Sequence, residues 1–380
     1  MPPADSTKRP ARARRGRRPA TSTTAKPMSH DTVERISLVC RYFCAGHVAG
    51  EIKDLLAENH GVGIHREQVY RDISQAAKQG WIRYAPPPEY DLRDRIKVRY
   101  DWLERVAVVH TATINDVAAQ TAQMLVDLLR DRANQANRRK SKSANPKPTS
   151  VSIGFAGGHA MRLVAVKLRE LLRAPAEGMP DIIKFHALVA GFSYDNPMTD
   201  PNSFINVFAD ERALPMESRF VALLAPPVVN DNQFPTLKKL HAIEEAFKRR
   251  KDIDIIVTSG GSWEGRCRHS MLHDVMKLQP ESMDALENED CCGDMMWRPI
   301  GPDGPITKRT KTRAMTLLEL TDLPALRLEG KSILFMLGPC RVCDAPRANL
   351  LKTILNFNEH LVTHVVTDSR TAAELVAETR

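Results

Sequence analysis

The chain has 380 residues, 42% of them hydrophobic and 27% charged, with a formal net charge of +9. That length supports more than one small domain and a sizeable core, and the composition is that of a soluble globular protein. No apolar run approaches the roughly 18–20 residues of a membrane span, which excludes a membrane partner. Seven scattered cysteines argue against a disulfide framework and for a reducing cytoplasm.

The charge is unevenly placed. Residues 1–30 hold eight Lys and Arg against Asp5 alone, so +7 of the +9 lies there. The basic start lacks the apolar stretch of a secretory signal. It is rich in Pro, Ala, Arg, Ser and Thr, and a disordered arm is expected. Within it, Arg15, Gly16, Arg17, Arg18 and Pro19 look like a minor-groove AT-hook with one extra arginine. The alternative is a solubilising, non-specific phosphate-binding arm. Both readings point to nucleic acid.

Order is expected from Asp31, where Asp31 and Glu34 have the spacing of a capping box. Val33, Ile36, Val39, Cys40 and Phe43 then form one apolar helix face. A second helix turns Ile52, Leu55 and Leu56 inward. A third, from about His65 to Gln79, does so with Val69, Ile73, Ala76 and Ala77. Gly80 stops it, and Trp81–Tyr84 reads as a short strand. Residues 31–85 thus read as a helix-turn-helix domain of winged type. With Val69 in the core, the opposite face of the third helix carries Glu67, Gln68, Arg71, Ser74, Gln75 and Lys78, flanked by Arg66 and Tyr70. That face can bond bases and phosphates. It is equally what a solvated surface helix shows.

Ala85 to Pro88 reads as a stiff hinge. Beyond it, residues 86–380 read as one α/β domain. Glu104–Val109 is expected as a strand, Asp116–Arg130 as an amphipathic helix, and 132–150 as a flexible polar insertion. Val151, Ile153 and Phe155 then alternate, Gly157 and Gly158 follow, and Met161, Val164, Leu168, Leu171 and Leu172 recur at helical spacing. Strand, glycine turn and helix together aim backbone N–H groups and a positive helix end at one point, which suits an anion such as phosphate. The alternative is an ordinary tight βα turn. The loop is neither a dinucleotide fingerprint nor a P-loop. Apolar runs at Ile182–Val189, Phe220–Ala225, Ile253–Thr258, Ile333–Leu337 and His364–Thr367 alternate with helix-like segments such as Thr236–Lys251 and Ala345–Phe357. The fold class is therefore α/β, with a mainly parallel, Rossmann-like sheet. Glycine loops close three of its strands, at Gly157, Gly260 and Gly338, where such sheets bind ligands. Cys340 and Cys343 form a lone C-x-x-C, read as two buried or incidental thiols ahead of a metal or redox pair.

In this order the motifs resemble the SorC family of bacterial sugar-responsive transcriptional regulators, from about residue 33 to the end. Arg66, Val69 and Arg71 match the family's recognition segment, while His65 and Tyr70 depart from it. Gly157, Gly158, His159, Ala160 and Met161 look like its phosphate-cradling loop, with His159 and Ala160 in place of hydroxyl or guanidinium donors. Gly260, Gly261 and Ser262 look like its Gly-x-Gly loop. Gly293-Asp294 with Asp303-Gly304, and the His364–Asp368 ending, resemble two more of its segments. Arg347 best fills the slot of a ligand-facing lysine; the alternative is a solvated helix residue after Pro346. The resemblance implies a fold related to sugar-phosphate isomerases, a phosphorylated-sugar effector, and a dimer or tetramer on an operator in double-stranded DNA. The expected DNA contacts are Arg66, Gln68, Tyr70, Arg71, Gln75 and Lys78, with Arg15, Arg17 and Arg18 from the arm. The expected effector contacts are Gly157 to Met161, Gly260 to Ser262, Asp294 and Arg347. No cofactor, metal or catalytic residue is expected. Two alternatives stand beside this: an isomerase- or deaminase-like enzyme using Asp294 and His159, and a ligand-independent DNA-bridging protein.

Overall fold

The computed structural model describes residues 28–82, 85–111, 113–140, 148–173, 177–191, 197–209, 214–265 and 267–377. The basic arm, with Arg15, Arg17 and Arg18, lies outside them. The chain divides into two compact units, Met1–Tyr84 and Ala85–Arg380.

In the first unit, helices α1 (His30–Cys44), α2 (Ala49–His60) and α3 (Arg66–Lys78) surround a small core of Ile36, Val39, Ile52, Leu56 and Val69. The helix-turn-helix pattern is therefore present. Ser29, not Asp31, caps α1, its hydroxyl accepting from the Thr32 N–H at 3.4 Å. Asp31 instead sits in the first turn, where a carboxylate favours the helix dipole. Val33, Phe43 and Ala77, expected inward, are exposed. Gly61 ends α2 in the left-handed region at φ 65°, and Gly80 follows α3 at φ 74°. Trp81 and Ile82 form a bend rather than a strand. Arg83 and Tyr84 lie outside the described residues.

Among the described residues, the core of this unit contains one charge. Asp72 on α3 is fully buried and takes a bidentate bond from Arg35 on α1, at 2.8 and 3.1 Å. Gln68 adds a third donor at 2.8 Å. A buried carboxylate is tolerable only when paired and bonded in this way.

Among the described residues the second unit holds twelve strands: β1 (Arg105–Val109), β2 (Ser150–Phe155), β3 (Ile182–Ala187), β4 (Glu217–Val221), β5 (Val228–Asn230), β6 (Ile255–Ser262), β7 (Gly293–Met295), β8 (Arg298–Gly301), β9 (Gly304–Pro305), β10 (Thr312–Ala314), β11 (Ser332–Leu337) and β12 (His364–Asp368). Seven form a parallel layer in the order β1-β12-β11-β6-β2-β3-β4. Every residue of β11 and β12 is buried, so both faces of the sheet are covered. From β2 the chain steps outward through β3 to β4. From β6 it steps the other way through β11 to β12. The reversal falls between β2 and β6, where a crevice opens beyond the strand ends. The far half of β6 leaves the parallel layer and pairs antiparallel with β7, Gly261 opposite Asp294.

Two expectations for this unit are corrected, over residues 132–140 and 236–251. After helix α4 (Tyr90–Arg99), helix α5 runs Ile114–Lys140, so residues 132–140 are not part of a flexible insertion. Ala133 continues its buried face, and Arg132 holds the Gly330 carbonyl at 2.5 Å and the Ser332 hydroxyl at 2.8 Å. The proline stretch expected to be stiff is hydrogen-bonded at its end. The Pro87 carbonyl accepts from the His110 N–H at 2.9 Å, alongside the sheet edge. The expected helix over 236–251 is broken at Leu240, whose extended backbone starts a shorter helix, His241–Arg249. Among the described residues no helix is long and apolar enough to cross a membrane.

We expect Arg35→Ala, which strands the Asp72 carboxylate, to destabilise the three-helix unit by about 3 kcal/mol. The paired change Arg35→Met with Asp72→Leu recovers most of that loss. Hydrogen exchange of the α3 amides in the full chain measures both.

Candidate nucleic-acid face and effector cleft

On α3 the structure separates the six expected contacts into two groups. Arg66, Tyr70, Arg71 and Lys78 are exposed, with Glu67 and Ser74 between them. Arg66 donates to the Tyr70 hydroxyl at 3.1 Å, and its guanidinium lies 5.7 Å from the ring centre. The pair is thus held together near the N-terminal end of the helix. Gln68 and Gln75 are half-buried on its flank. Gln68 is committed to Asp72, and the Gln75 amide points at the Met28 sulfur, 2.7 Å away. A helical wheel centred on Val69 could not show this, because the ligand of Gln68 is another residue of the inward face.

In the second unit a cleft of about 330 Å³ opens at the reversal between β2 and β6. The volume suits a small organic ligand. Eight of the ten expected effector residues line it: Gly157, Gly158, His159, Ala160, Gly260, Gly261, Asp294 and Arg347. Met161 and Ser262 do not. Met161 is fully buried in the core beneath helix α6 (His159–Leu172), and the Ser262 hydroxyl turns to the Glu264 N–H at 3.3 Å. Sequence reasoning missed His269, Ser270, Asp274, Trp297 and Arg341. Asp274 lies in a six-residue helix, Met271–Met276, that Ser270 caps, and the others lie in loops and a hairpin turn; none of these segments is long enough to carry a periodic signal.

The start of α6 offers donors. Among the described residues, the N–H groups of Gly157, His159, Ala160 and Met161 have no internal acceptor, whereas Gly158 donates to the Thr199 carbonyl at 2.8 Å. Gly158 has φ 106°, open only to glycine. Gly157 is glycine for a different reason, since a Cβ there would lie 2.6 Å from the Trp297 ring. The lining carries charges of both signs, Arg341 and Arg347 with Asp274 and Asp294. Burial pushes the His159 imidazole below its ordinary pKa, and Arg341 and Arg162 push it further.

Arg347 is half-buried and fixed. Its Nε donates to the Gly338 carbonyl at 2.8 Å and its Nη1 to the Gly260 carbonyl at 2.6 Å. Three of its five N–H bonds remain. The guanidinium therefore spans the ends of β11 and β6 at the cleft, unlike a solvated helix residue.

Asp294 forms the cleft floor, 3% exposed. It accepts from the Ser270 hydroxyl, from the Trp263 indole N–H at 3.2 Å and from the Trp297 backbone N–H. It thereby pins the β7–β8 turn. Met296 and Trp297 in that turn both have positive φ, 55° and 59°. A two-residue hairpin demands this conformation, and a tryptophan adopts it only under constraint. Burial raises the Asp294 carboxyl to about 6 against its donors and Arg347.

An acid whose folded pKa lies above its unfolded value binds its proton more tightly when folded. Its contribution is therefore most favourable at low pH and is lost as pH rises through the interval from 3.8 to about 6. We expect the stability of the native chain relative to Asp294→Asn to fall by on the order of 3 kcal/mol across that interval. Urea unfolding of both proteins at stepped pH checks the sign and the size.

No protein-family model matches the chain, and no curated protein matches it by sequence. Solved structures do match. The full-length sorbitol operon regulator SorC from Klebsiella pneumoniae aligns with 92% of this chain and 100% of its own, at TM-score 0.63 and 15% identity. A domain described as a possible sugar-binding transcriptional regulator from Arthrobacter aurescens TC1 covers 76% of this chain and 97% of its own, at 0.53 and 14%. A transcriptional regulator from Streptococcus pneumoniae TIGR4 covers 76% and 96%, at 0.51 and 16%. The helix-turn-helix and parallel α/β architecture expected from the SorC resemblance is thus the fold of this chain.

Proposed function

We propose that the chain is a DNA-binding transcriptional regulator whose α/β unit senses a phosphorylated sugar. The observation that carries this is the pairing of two built surfaces in one chain. One is a third helix presenting Arg66, Tyr70, Arg71 and Lys78. The other is a cleft that collects N–H groups with no acceptor among the described residues, Arg341 and the Arg347 fork. Arg347 can hold two phosphate oxygens where a lysine presents a point charge. Asp294 accepts from sugar hydroxyls beside it. The likeness to a full-length operon regulator over nearly all of both chains supports the same reading. Operator binding by a pair of such helices implies a dimer or a dimer of dimers. The basic arm adds sequence-independent affinity for phosphates. The protein acts in the cytoplasm, as a regulator and not as an enzyme.

On a duplex selected from a random pool at fixed salt, we expect Arg71→Ala to cost about 1–3 kcal/mol and to relax one base position. A chain lacking residues 1–27 binds all duplexes more weakly, with a shallower dependence of log K on log salt. Unchanged affinity and slope would remove DNA from the reading.

For the cleft, a panel of pentose and hexose phosphates is compared with the unphosphorylated sugars by thermal shift. A ligand at 100 times its Kd stabilises by about 2.7 kcal/mol. We expect only phosphorylated members to do so, and Arg341→Ala, at an exposed position, to weaken them without lowering the ligand-free melting point. Arg347→Lys removes most of the shift as well. It also lowers the ligand-free melting point, because the Gly260 and Gly338 carbonyls lose a shared donor.

A further inference from the structure

The C-x-x-C of Cys340 and Cys343 has a third partner. Among the described residues, the sulfurs of Cys267, Cys340 and Cys343 all lie within 4.8 Å of one another, and no histidine or carboxylate joins them at that spacing. They come from two segments 73 residues apart in sequence, the loop after β6 and the turn after β11. Tetrahedral bonds of about 2.3 Å to one zinc ion place sulfurs about 3.8 Å apart, so the cluster needs little contraction to share an ion.

The turn that carries Cys340 and Cys343 is held by its own backbone. The Asp344 N–H donates to the Cys340 carbonyl and the Cys340 N–H to the Ala345 carbonyl, both at 2.9 Å, which closes the loop on itself. Asp344 takes the left-handed conformation at φ 52° that lets the chain turn away after the second cysteine. The N–H groups of Val342 and Cys343 then point back at the Cys340 sulfur. Arg347 lies within Coulomb reach of Cys340 and Cys267, so a cation already faces the charge that three thiolates and one divalent ion leave. Cys267 and Cys340 are buried while Cys343 is exposed, which gives an ion a route in.

We propose that Cys267, Cys340 and Cys343 form a three-thiolate site for a zinc ion, with its fourth position left to water or an added ligand. Three protein ligands leave one tetrahedral position open. Cys340 also lines the effector cleft, so the ion sits beside that cleft. Binding releases the three thiol protons to solvent and changes no oxidation state. The site ties the β6 loop to the β11 turn, two segments that the backbone leaves independent. The proposal does not depend on the identity of the effector or on DNA binding.

The test uses the full chain, stripped with a chelator and kept reduced with a phosphine. Zinc alone is titrated against a chromogenic chelator, and cobalt(II) alone serves as the spectroscopic probe. We expect one ion per chain, sulfur-to-cobalt charge-transfer bands and the d–d intensity of a tetrahedral site. Cys343→Ser, at an exposed position, is expected to weaken zinc by more than the roughly 10–100-fold that loss of an outer partner costs. Its metal-free melting point should match that of the metal-free native chain. Cys267→Ser should lose the charge-transfer bands in the same way, and Cys291→Ser should keep them. Absence of charge-transfer bands in the native chain, or zinc affinity that survives both Cys343→Ser and Cys267→Ser, overturns the proposal. So does thiol mapping in which mild oxidation joins Cys340 to Cys343 in a chain that binds no zinc, since the pair is then a redox dithiol.

Discussion

The ends of β6 and β11 are held by one guanidinium. Parallel strands that stop at a crevice leave carbonyls without ladder partners, and an unpaired buried carbonyl is costly. Arg347 satisfies Gly260 and Gly338 together. Burial works against its charge, and Cys340, Cys267, Asp368 and Asp294 around it favour the charged form. The cleft therefore has a cation in its wall before any ligand arrives. That cation is fixed by the fold and not by the ligand, so its remaining donors are already oriented.

The opposite wall rests on the β7–β8 hairpin. Its turn places two large residues in a conformation usually left to glycine and asparagine. Asp294 holds that turn from below through the Trp297 N–H, and the Trp297 ring closes on Gly157. Gly260 and Gly261 are glycines for the matching reason. A Cβ on Gly260 would lie 2.6 Å from the Asp294 carbonyl, and one on Gly261 would lie 2.5 Å from Ser270. The glycines of the cleft thus serve two physical needs. Gly158 supplies a backbone angle, while Gly157, Gly260 and Gly261 supply space. Only the first is the kind of glycine that a phosphate loop requires by itself.

This separates what was legible in the chain from what was not. Strand and helix positions followed from periodicity, because buried parallel strands such as Ser332–Leu337 are continuous apolar runs. The glycine loops marked the right end of the sheet, because a crevice at strand ends follows from topology. Periodicity misled where one residue answers to a distant one. Ala133 extends the apolar face of α5 past a segment whose polar composition reads as loop. Gln68 sits on a polar face yet serves a carboxylate inside the core. Met161 falls within a loop motif and points away from the cleft.

The cysteines show the same limit more sharply. Spacing identifies a metal pair only when both halves of the set are local, as in two C-x-x-C motifs separated by one short loop. Cys340 and Cys343 meet that condition with each other, and Cys267 does not meet it with either. What unites the three is the strand order. Strand β6 lies next to β11, so the loops that leave their carboxyl ends must share one crevice rim. The neighbourhood of β6 and β11 is set by burial across the whole sheet, and no window of sequence contains it. The same adjacency lets Arg347 reach Gly260. The guanidinium bridge and the thiol cluster are thus two consequences of one strand pairing, one closing carbonyls on the cleft side and the other gathering sulfur beside it.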